Sequence, residues 1–251
     1  MVEKRSICLI VPCYNEAARL DVPRFNEWLA SESHVRLVFV DDGSRDKTVE
    51  VLNNIHSRFE TCTSVLRMKA NGGKAEAVRF GINEAIRQFR PEIVGFWDAD
   101  LATPLDEVDE FLNTFDQNPQ IEMVFGSRVK LLGRNVVRLP QRHYLGRIFA
   151  TVVSQILRIA IYDTQCGAKM FRVTPDLEKV LTKPFLSRWV FDVEILARFI
   201  QLFGGDSSRL ERTIYEYPLR TWLDVAGSKV RPKDFVTAFM DVLRIKQQYL
   251  S

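Results

Sequence analysis

The stretch FWDADLATP, Phe96–Pro104, closes an uncharged apolar run with two carboxylates, Asp98 and Asp100, separated only by Ala99. IVGFW (93–97) reads as a buried strand. Similar short β-branched runs recur at ICLIV (7–11), VRLVFV (35–40), SVLRM (64–68) and IEMVFG (121–126). Helical periodicity fills the gaps, as in KAEAVRFGINEAIRQF after Gly73. Near-continuous apolar strands separated by helices predict an α/β fold, a mainly parallel sheet with helices on both faces. Such sheets bind ligands outside the carboxyl ends of their strands. Here those exits read PCYNE (12–16), DDGS (41–44), KANGGK (69–74), DADLATP (98–104) and GSR (126–128).

The bulk numbers bound the rest. With 251 residues, 46% of them hydrophobic and 27% charged, the chain can bury a substantial core and is not a disordered one. A net charge of only +3 excludes nucleic-acid binding by composition. Four scattered cysteines without a CxxC pair, and three histidines, argue against zinc and for reduced thiols in a cytosolic protein. The N-terminus MVEKRSICLIVP lacks the long apolar core of a signal peptide. No run of about 18 apolar residues offers a membrane span. Without repeats or linkers, one domain over residues 1–251 is expected, with the strand–helix alternation confined to 1–128 and mixed elements over 129–251.

Residues two apart on a strand project to one side, so Asp98 and Asp100 can converge on one point. Two adjacent carboxylates repel unless a cation lies between them, and oxygen ligands suit Mg²⁺ or Mn²⁺ completed by phosphate and water. Acids also favour a helix N-terminus, and Thr103-Pro104 could begin the next helix without them. In VDDGSRDKT, Ser44 or Asp46 can cap the following helix and Asp-Gly is ordinary turn chemistry, which leaves Asp41 and Asp42 unexplained. A Mg²⁺-binding receiver module also gathers acids at strand ends. Such modules are about half this length, and their acidic pair follows the first strand, where this chain has PCYNE.

Taken together, IVPCYNEAARL, FVDDGSRDKT, NGGKAEAVRFG, WDADLATP and FGSR, followed by YDTQCGAKMFR (162–172), SRWVFDVEIL (187–196) and AGSKV (226–230), resemble family 2 glycosyltransferases with a GT-A fold. The second-half motifs look like the dolichyl-phosphate β-glucosyltransferase branch, near the polyprenyl-phosphate mannosyltransferases. The resemblance covers almost the whole chain and implies a nucleotide-sugar-binding half (1–128) and an acceptor-binding half (129–251). It implies that Pro12, Tyr14, Asn15, Glu16, Asp41 and Asp42 line the nucleoside pocket with Gly73 and Lys74 beside it. Asp98 would face the ribose or metal, and Asp100 would ligate the ion on the donor diphosphate. Arg128, Arg142, Arg220, Ser228 and Lys229 would meet the phosphates of donor and acceptor. The mannosyltransferases tend to carry Gln two residues after the second Asp; here Ala102 or Thr103 stands there, which favours the glucosyl branch and removes one metal ligand.

Between Met123 and Tyr162 there is no Asp or Glu, while Arg128, Lys130, Arg134, Arg138, Arg142, Arg147 and Arg158 fall inside. Such a strip is either a solvated face or one that attracts an anionic membrane or a phosphorylated lipid. YLGRIFATVVSQILRIAIY (144–162) reads as one helix with a polar stripe at Arg147, Thr151, Ser154/Gln155 and Arg158. Its surplus apolar surface could meet the C-terminal helix, a dimer partner or acyl chains, an amphipathic interfacial placement. FVTAFMDVLRIKQQYL is amphipathic too, and core packing accounts for it.

The implied reaction is displacement at a sugar's anomeric carbon with inversion, catalysed by Asp100, Arg128 and Asp192. The implied donor is UDP-glucose, with GDP-mannose the alternative. A polyprenyl phosphate acceptor needs no strong base; a hydroxyl acceptor does, and Asp192 resembles the base of hydroxyl-acceptor relatives. Asp192 is equally well explained as a helix N-terminal acid. Arg188-Trp189 is part of a processive-synthase signature, but the preceding Gln is missing. Cys166 reads as a small packed residue. A cytoplasmic enzyme, peripheral at a membrane, is expected.

Overall fold

A computed structural model describes residues 6–31, 34–137, 140–225 and 232–250, with the backbone alone for 140–144 and 232–236. The first half runs β1 (Ile7–Cys13), α1 (Val22–Ser31), β2 (Val35–Asp41), α2 (Thr48–Arg58), β3 (Thr63–Arg67), α3 (Lys74–Phe89) and β4 (Ile93–Trp97). A short 3₁₀ turn at Leu105–Glu107 leads into α4 (Val108–Gln117) and β5 (Met123–Ser127). Then come β6 (Asn135–Val137), α5 (Pro140–Leu157), β7 (Ala168–Arg172), α6 (Pro175–Leu181) and α7 (Phe191–Leu202). The chain finishes with α8 (Ser207–Glu211), β8 (Ile214–Pro218), β9 (Thr221–Leu223) and α9 (Pro232–Tyr249).

The main sheet has seven strands in the order β3-β2-β1-β4-β7-β5-β8. The five strands expected from the sequence are present, with ends within two residues of those read from the apolar runs. β1 pairs in parallel with β2 and β4, β2 with β3, and β5 with β8. β7 lies between β4 and β5 and is antiparallel to both. β6 and β9 form a separate parallel pair.

Alternate strand residues feed two cores. Cys8, Ile10, Val38, Val40, Val94, Phe96 and Phe125 pack with residues of α3, α5, α7 and α9. Ile7, Leu9, Val11, Leu37, Phe39 and Trp97 pack with α1, α2 and α4 on the other face. This is the two-faced burial that makes parallel strands apolar throughout. Ring pairs tie the layers, Phe25 on Phe39 at 5.4 Å and Phe96 on Phe191 at 5.4 Å. Each such aromatic is worth roughly 1.5–3 kcal/mol through burial alone. Cys8, Cys13 and Cys166 are buried, and none of the four cysteines forms a disulfide. Burial pushes the Cys8 thiol up to about 12, so it stays protonated and inert.

The single helix expected over 144–162 is corrected at both ends. α5 begins at Pro140 and stops at Leu157, because Arg158 turns left-handed at φ +55°. Ser154 Oγ donates to Ile159 O at 2.6 Å and secures the break. Residues 159–165 then fold back instead of continuing a helical stripe. The apolar surface of α5 is covered largely from within: Phe149, Ala150, Val153 and Leu157 are buried, and Phe149 meets Phe239 of α9 at 5.4 Å. α9 buries Ala238, Val242 and Ile245, the core role expected of it. Leu145 and Ile148 remain exposed on α5.

Candidate active site

A pocket of about 530 Å³ opens where β1, β2, β3, β4 and β5 release the chain. Pro12, Tyr14, Glu16, Asp42, Gly73, Lys74, Asp98, Asp100, Arg128 and Asp192 all line it, so ten of the residues expected from the sequence are brought together. Six others are not brought to it, or lie where no side chain is described. Asp41 is fully buried and accepts the Ser44 N–H at 3.3 Å, holding the turn after β2. Asn15, at φ +50°, ties that turn to the β1 exit: its N–H donates to Ser44 Oγ at 3.0 Å and its Oδ1 accepts Arg45 N–H at 2.9 Å. Arg220 follows β8 and turns to Glu110 of α4 at 2.6 Å, because Glu107 pins the Arg220 and Thr221 N–H groups from the α4 side. Arg142 falls in α5 where no side chain is described, and Ser228 and Lys229 lie outside the described residues.

Asp42 faces the pocket in a cradle of backbone donors. It accepts Gly72 N–H at 2.6 Å, Gly73 N–H at 2.9 Å and Asn71 Nδ2 at 2.9 Å. Burial still holds its carboxyl above the usual range. Gly73 is at φ +89°, a conformation that favours glycine, and a β-carbon there would crowd the Arg188 side chain. Nearby, Asp46 rather than Ser44 takes Thr48 N–H at the start of α2, at 3.0 Å.

The two carboxylates after β4 are held closely. Trp97 Nε1 donates to Thr103 O at 2.8 Å and closes the loop, while Leu101 adopts φ +50°. Asp98 N–H donates to Gly167 O at 2.9 Å. Its carboxylate packs on the Gly167 backbone where a β-carbon would overlap it. Lys74 Nζ lies 2.5 Å from Asp98 Oδ1. Burial and then the neighbouring Asp98 charge raise the Asp100 carboxyl above its ordinary value. Burial opposes the charged form of Lys74, but Asp98, Asp192 and Asp100 together hold its ammonium above the ordinary range. Among the described residues no group of three or more His, Cys, Asp and Glu side chains converges. A cation between Asp98 and Asp100 would therefore complete its shell with substrate oxygens and water, as Mg²⁺ and Mn²⁺ do. Ala102 and Thr103, which follow the pair, offer no third carboxylate.

The opposite wall carries Arg128 together with residues that no motif reading assigned to the pocket. Arg128 spends its fork on Asp163, Nε to Oδ2 at 2.6 Å and Nη2 to Oδ1 at 2.8 Å. Burial works against that guanidinium and Asp163 overrides it, raising its pKa. Arg147 points inward rather than along a solvent stripe: it stacks 3.5 Å from the Tyr162 ring centroid and donates to Tyr162 O at 3.0 Å. Glu216 of β8 accepts the N–H groups of Tyr162 at 2.7 Å and Asp163 at 2.8 Å. Arg188 donates to Asn71 O at 3.4 Å and to Asn71 Oδ1. Trp222 and Asp224 reach the pocket because Leu223 N–H pairs with Ala102 O at 3.0 Å. The acid-free run was the one signal that pointed to Arg147.

Asp192, in the first turn of α7, is 4% exposed. Its Oδ1 lies 2.7 Å from the ammonium of Lys169, a residue with no exposed surface at all. Lys169 also donates to Cys166 O and lies over the rings of Phe96 and Phe125. Burial raises the Asp192 carboxyl, with Lys169 and Lys74 pulling the other way.

Residues 8–178 match glycosyl transferase family 2. Over nearly the whole chain there is similarity to the dolichyl-phosphate beta-glucosyltransferases of three organisms. That of Dictyostelium discoideum is 29% identical, over 97% of this chain and 75% of that protein. That of Homo sapiens is 28% identical, over 98% and 76%. That of Drosophila melanogaster is 31% identical, over 90% and 69%. Among solved structures, glucosyl-3-phosphoglycerate synthase from Mycobacterium tuberculosis with Mn²⁺, UDP and glucosyl-3-phosphoglycerate superposes with a TM-score of 0.66 at 18% identity, covering 97% of this chain and 80% of that one. A Mg²⁺ and UDP complex of that enzyme gives 0.65. These structures share the GT-A fold.

Proposed function

Because this chain belongs to glycosyl transferase family 2, a family of nucleotide-sugar-dependent enzymes, we propose that it transfers glucose from UDP-glucose to the phosphate of a polyprenyl or dolichyl phosphate. The observation that carries this reading is the shared pocket: Asp98 and Asp100 line one cavity together with Lys74, Arg128, Arg147 and Arg188. Paired acids with cations around them suit a diphosphate and the divalent ion that accompanies it. The curated relatives named above supply the acceptor class.

Asp98 and Asp100 would hold Mg²⁺ or Mn²⁺, which when bound supplies positive charge against the leaving diphosphate. Pro12, Tyr14, Glu16 and Asp42 frame the nucleoside side of the pocket. Arg128 and Arg147 reach it already oriented by Asp163 and Tyr162, so little ordering cost remains when a phosphate arrives. An acceptor phosphate oxygen attacks the anomeric carbon as the bond to the diphosphate oxygen breaks. The electron pair leaves with UDP, and the configuration inverts.

No proton has to move, since the second ionisation of a phosphate monoester falls at about 6. The surroundings of Asp192 agree. Burial favours its protonated form, but a proton taken there would leave the buried Lys169 ammonium without its counter-charge, which suits a balancing acid better than a general base. Its role in this reading is to balance Lys169 and Lys74 at the pocket floor.

No helix among the described residues is long and apolar enough to cross a membrane. A polyprenyl acceptor would bring the enzyme to a membrane surface, peripherally and from the cytoplasmic side. Labelled UDP-glucose supplied with a polyprenyl phosphate and Mn²⁺ should yield a glucolipid, and chelation should stop it. Transfer from GDP-mannose instead, or transfer to a hydroxyl acceptor alone, would overturn the assignment. Asp192→Asn should retain substantial turnover with the phosphate acceptor. A collapse by several orders of magnitude would make Asp192 the base for a hydroxyl.

A further inference from the structure

The pocket floor is a chain of alternating charges. Lys169 meets Asp192, and Asp192 and Asp98 both act on Lys74, whose ammonium contacts Asp98; Asp100 stands next in line. Two cations against three anions leave this row one negative charge in surplus. A divalent ion would reverse that sign and leave one cation without an acid to balance.

Two features decide which side chain gives way. Asp98 is fixed: its N–H is bonded to Gly167 O, and its carboxylate is wedged on the Gly167 backbone with no room for a β-carbon. Its Oδ1 is the oxygen that Lys74 engages. Lys74 is a flexible arm at the first position of α3, with its ammonium 5.6 Å from the Phe96 ring centroid and about a quarter of its side chain exposed to the pocket. An ammonium on a four-carbon stem can swing by several ångströms, whereas the loop after β4 cannot follow.

We infer that Lys74 is a resident counter-ion of the carboxylate pair: in the free enzyme it competes with the divalent cation for Asp98, and in the donor complex it moves to the diphosphate. This rests on the reading of Asp98 and Asp100 as the cation site. Its consequence is an ordered economy of charge. Without nucleotide, Lys74 weakens metal binding. With nucleotide, the diphosphate draws the ammonium away, and metal and donor bind each other's complex more tightly, as linkage requires.

The test is Mn²⁺ binding to the intact protein, followed by calorimetry or by loss of the free-ion paramagnetic signal, with and without UDP. Lys74→Met should bind Mn²⁺ about three- to tenfold more tightly than wild type in the absence of UDP. The gain in Mn²⁺ affinity that UDP confers should shrink in that variant. Lys74→Arg, which keeps the charge, should track wild type. Lys74→Gln carries the same measurement should the methionine variant melt early. An unchanged or weaker Mn²⁺ affinity in the uncharged variants without UDP overturns the inference alone. Failure of wild type to bind Mn²⁺ even with UDP overturns it together with the cation site.

Discussion

On the wall of the pocket built by β1, β2 and β4, acids are held largely by backbone. Asp42 takes the N–H groups of Gly72 and Gly73, and Asp98 rests against the Gly167 backbone. On the facing wall, cations are held by other side chains and the loops that carry them: Arg128 by Asp163, Lys169 by Asp192, and the Tyr162–Asp163 segment by Glu216. Backbone donors come with the chain's path and survive most substitutions. Ion pairs depend on both partners, and removing one strands a charge. The first wall should therefore tolerate conservative changes that the second does not, with Gly167 the exception because it is where the two walls touch.

The largest expected effect tests that meeting point. Gly167→Ala must push Asp98 off its seat and should lower kcat/KM by about 10²-fold or more, a loss typical of reacting groups displaced by about 1 Å. Near-normal turnover in a steady-state assay would mean that the position of Asp98 is not critical. Next comes the contrast itself. Asp163→Asn leaves Arg128, 15% exposed, without its counter-charge and should cost about 3 kcal/mol of stability in denaturant melts. Asp42→Asn keeps an oxygen for only one of the two glycine N–H groups but strands no charge, and should cost only about 1–2 kcal/mol. Equal losses would erase the distinction between the walls.

The smallest effect is one of pH. Burial raises the Glu216 carboxyl above its ordinary value of 4.5, more than its bonds to Tyr162 and Asp163 lower it. The folded state thus keeps this proton longer than the unfolded chain does. That contribution is fully present below 4.5 and is lost as pH rises through the higher folded value. The stability of wild type minus that of Glu216→Gln should fall with rising pH across that window. A difference flat with pH would show that the carboxyl titrates normally.

Much of the first wall was legible because strand periodicity, β-branched runs and acid-rich exits are local signals. Asp42, Asp98, Asp100, Gly73 and Lys74 sit where those signals put them. Asp41 and Asn15 shared the same motifs, yet one residue's shift along a strand or turn sends a side chain to the other side, and both became turn supports. The second wall carried weaker marks. Nothing in the order of residues shows that β7 inserts antiparallel between β4 and β5, and that insertion is what carries Lys169 under Asp192 and Gly167 under Asp98. Arg147 was visible as part of an acid-free run but not as inward-facing, since that depended on α5 stopping at Arg158.

By itself, then, the sequence determined the layered α/β architecture, the carboxyl-end location of the pocket and the acids that line its first side. Each of these follows from periods of two and 3.6 residues acting within short windows. The tertiary structure alone decided which cation meets which acid, that Arg220 turns to Glu110, and that Asp192 is bound to a buried lysine. Those pairings join elements far apart in the chain, and their energies depend on burial and distance, which exist only once the sheet has closed around them.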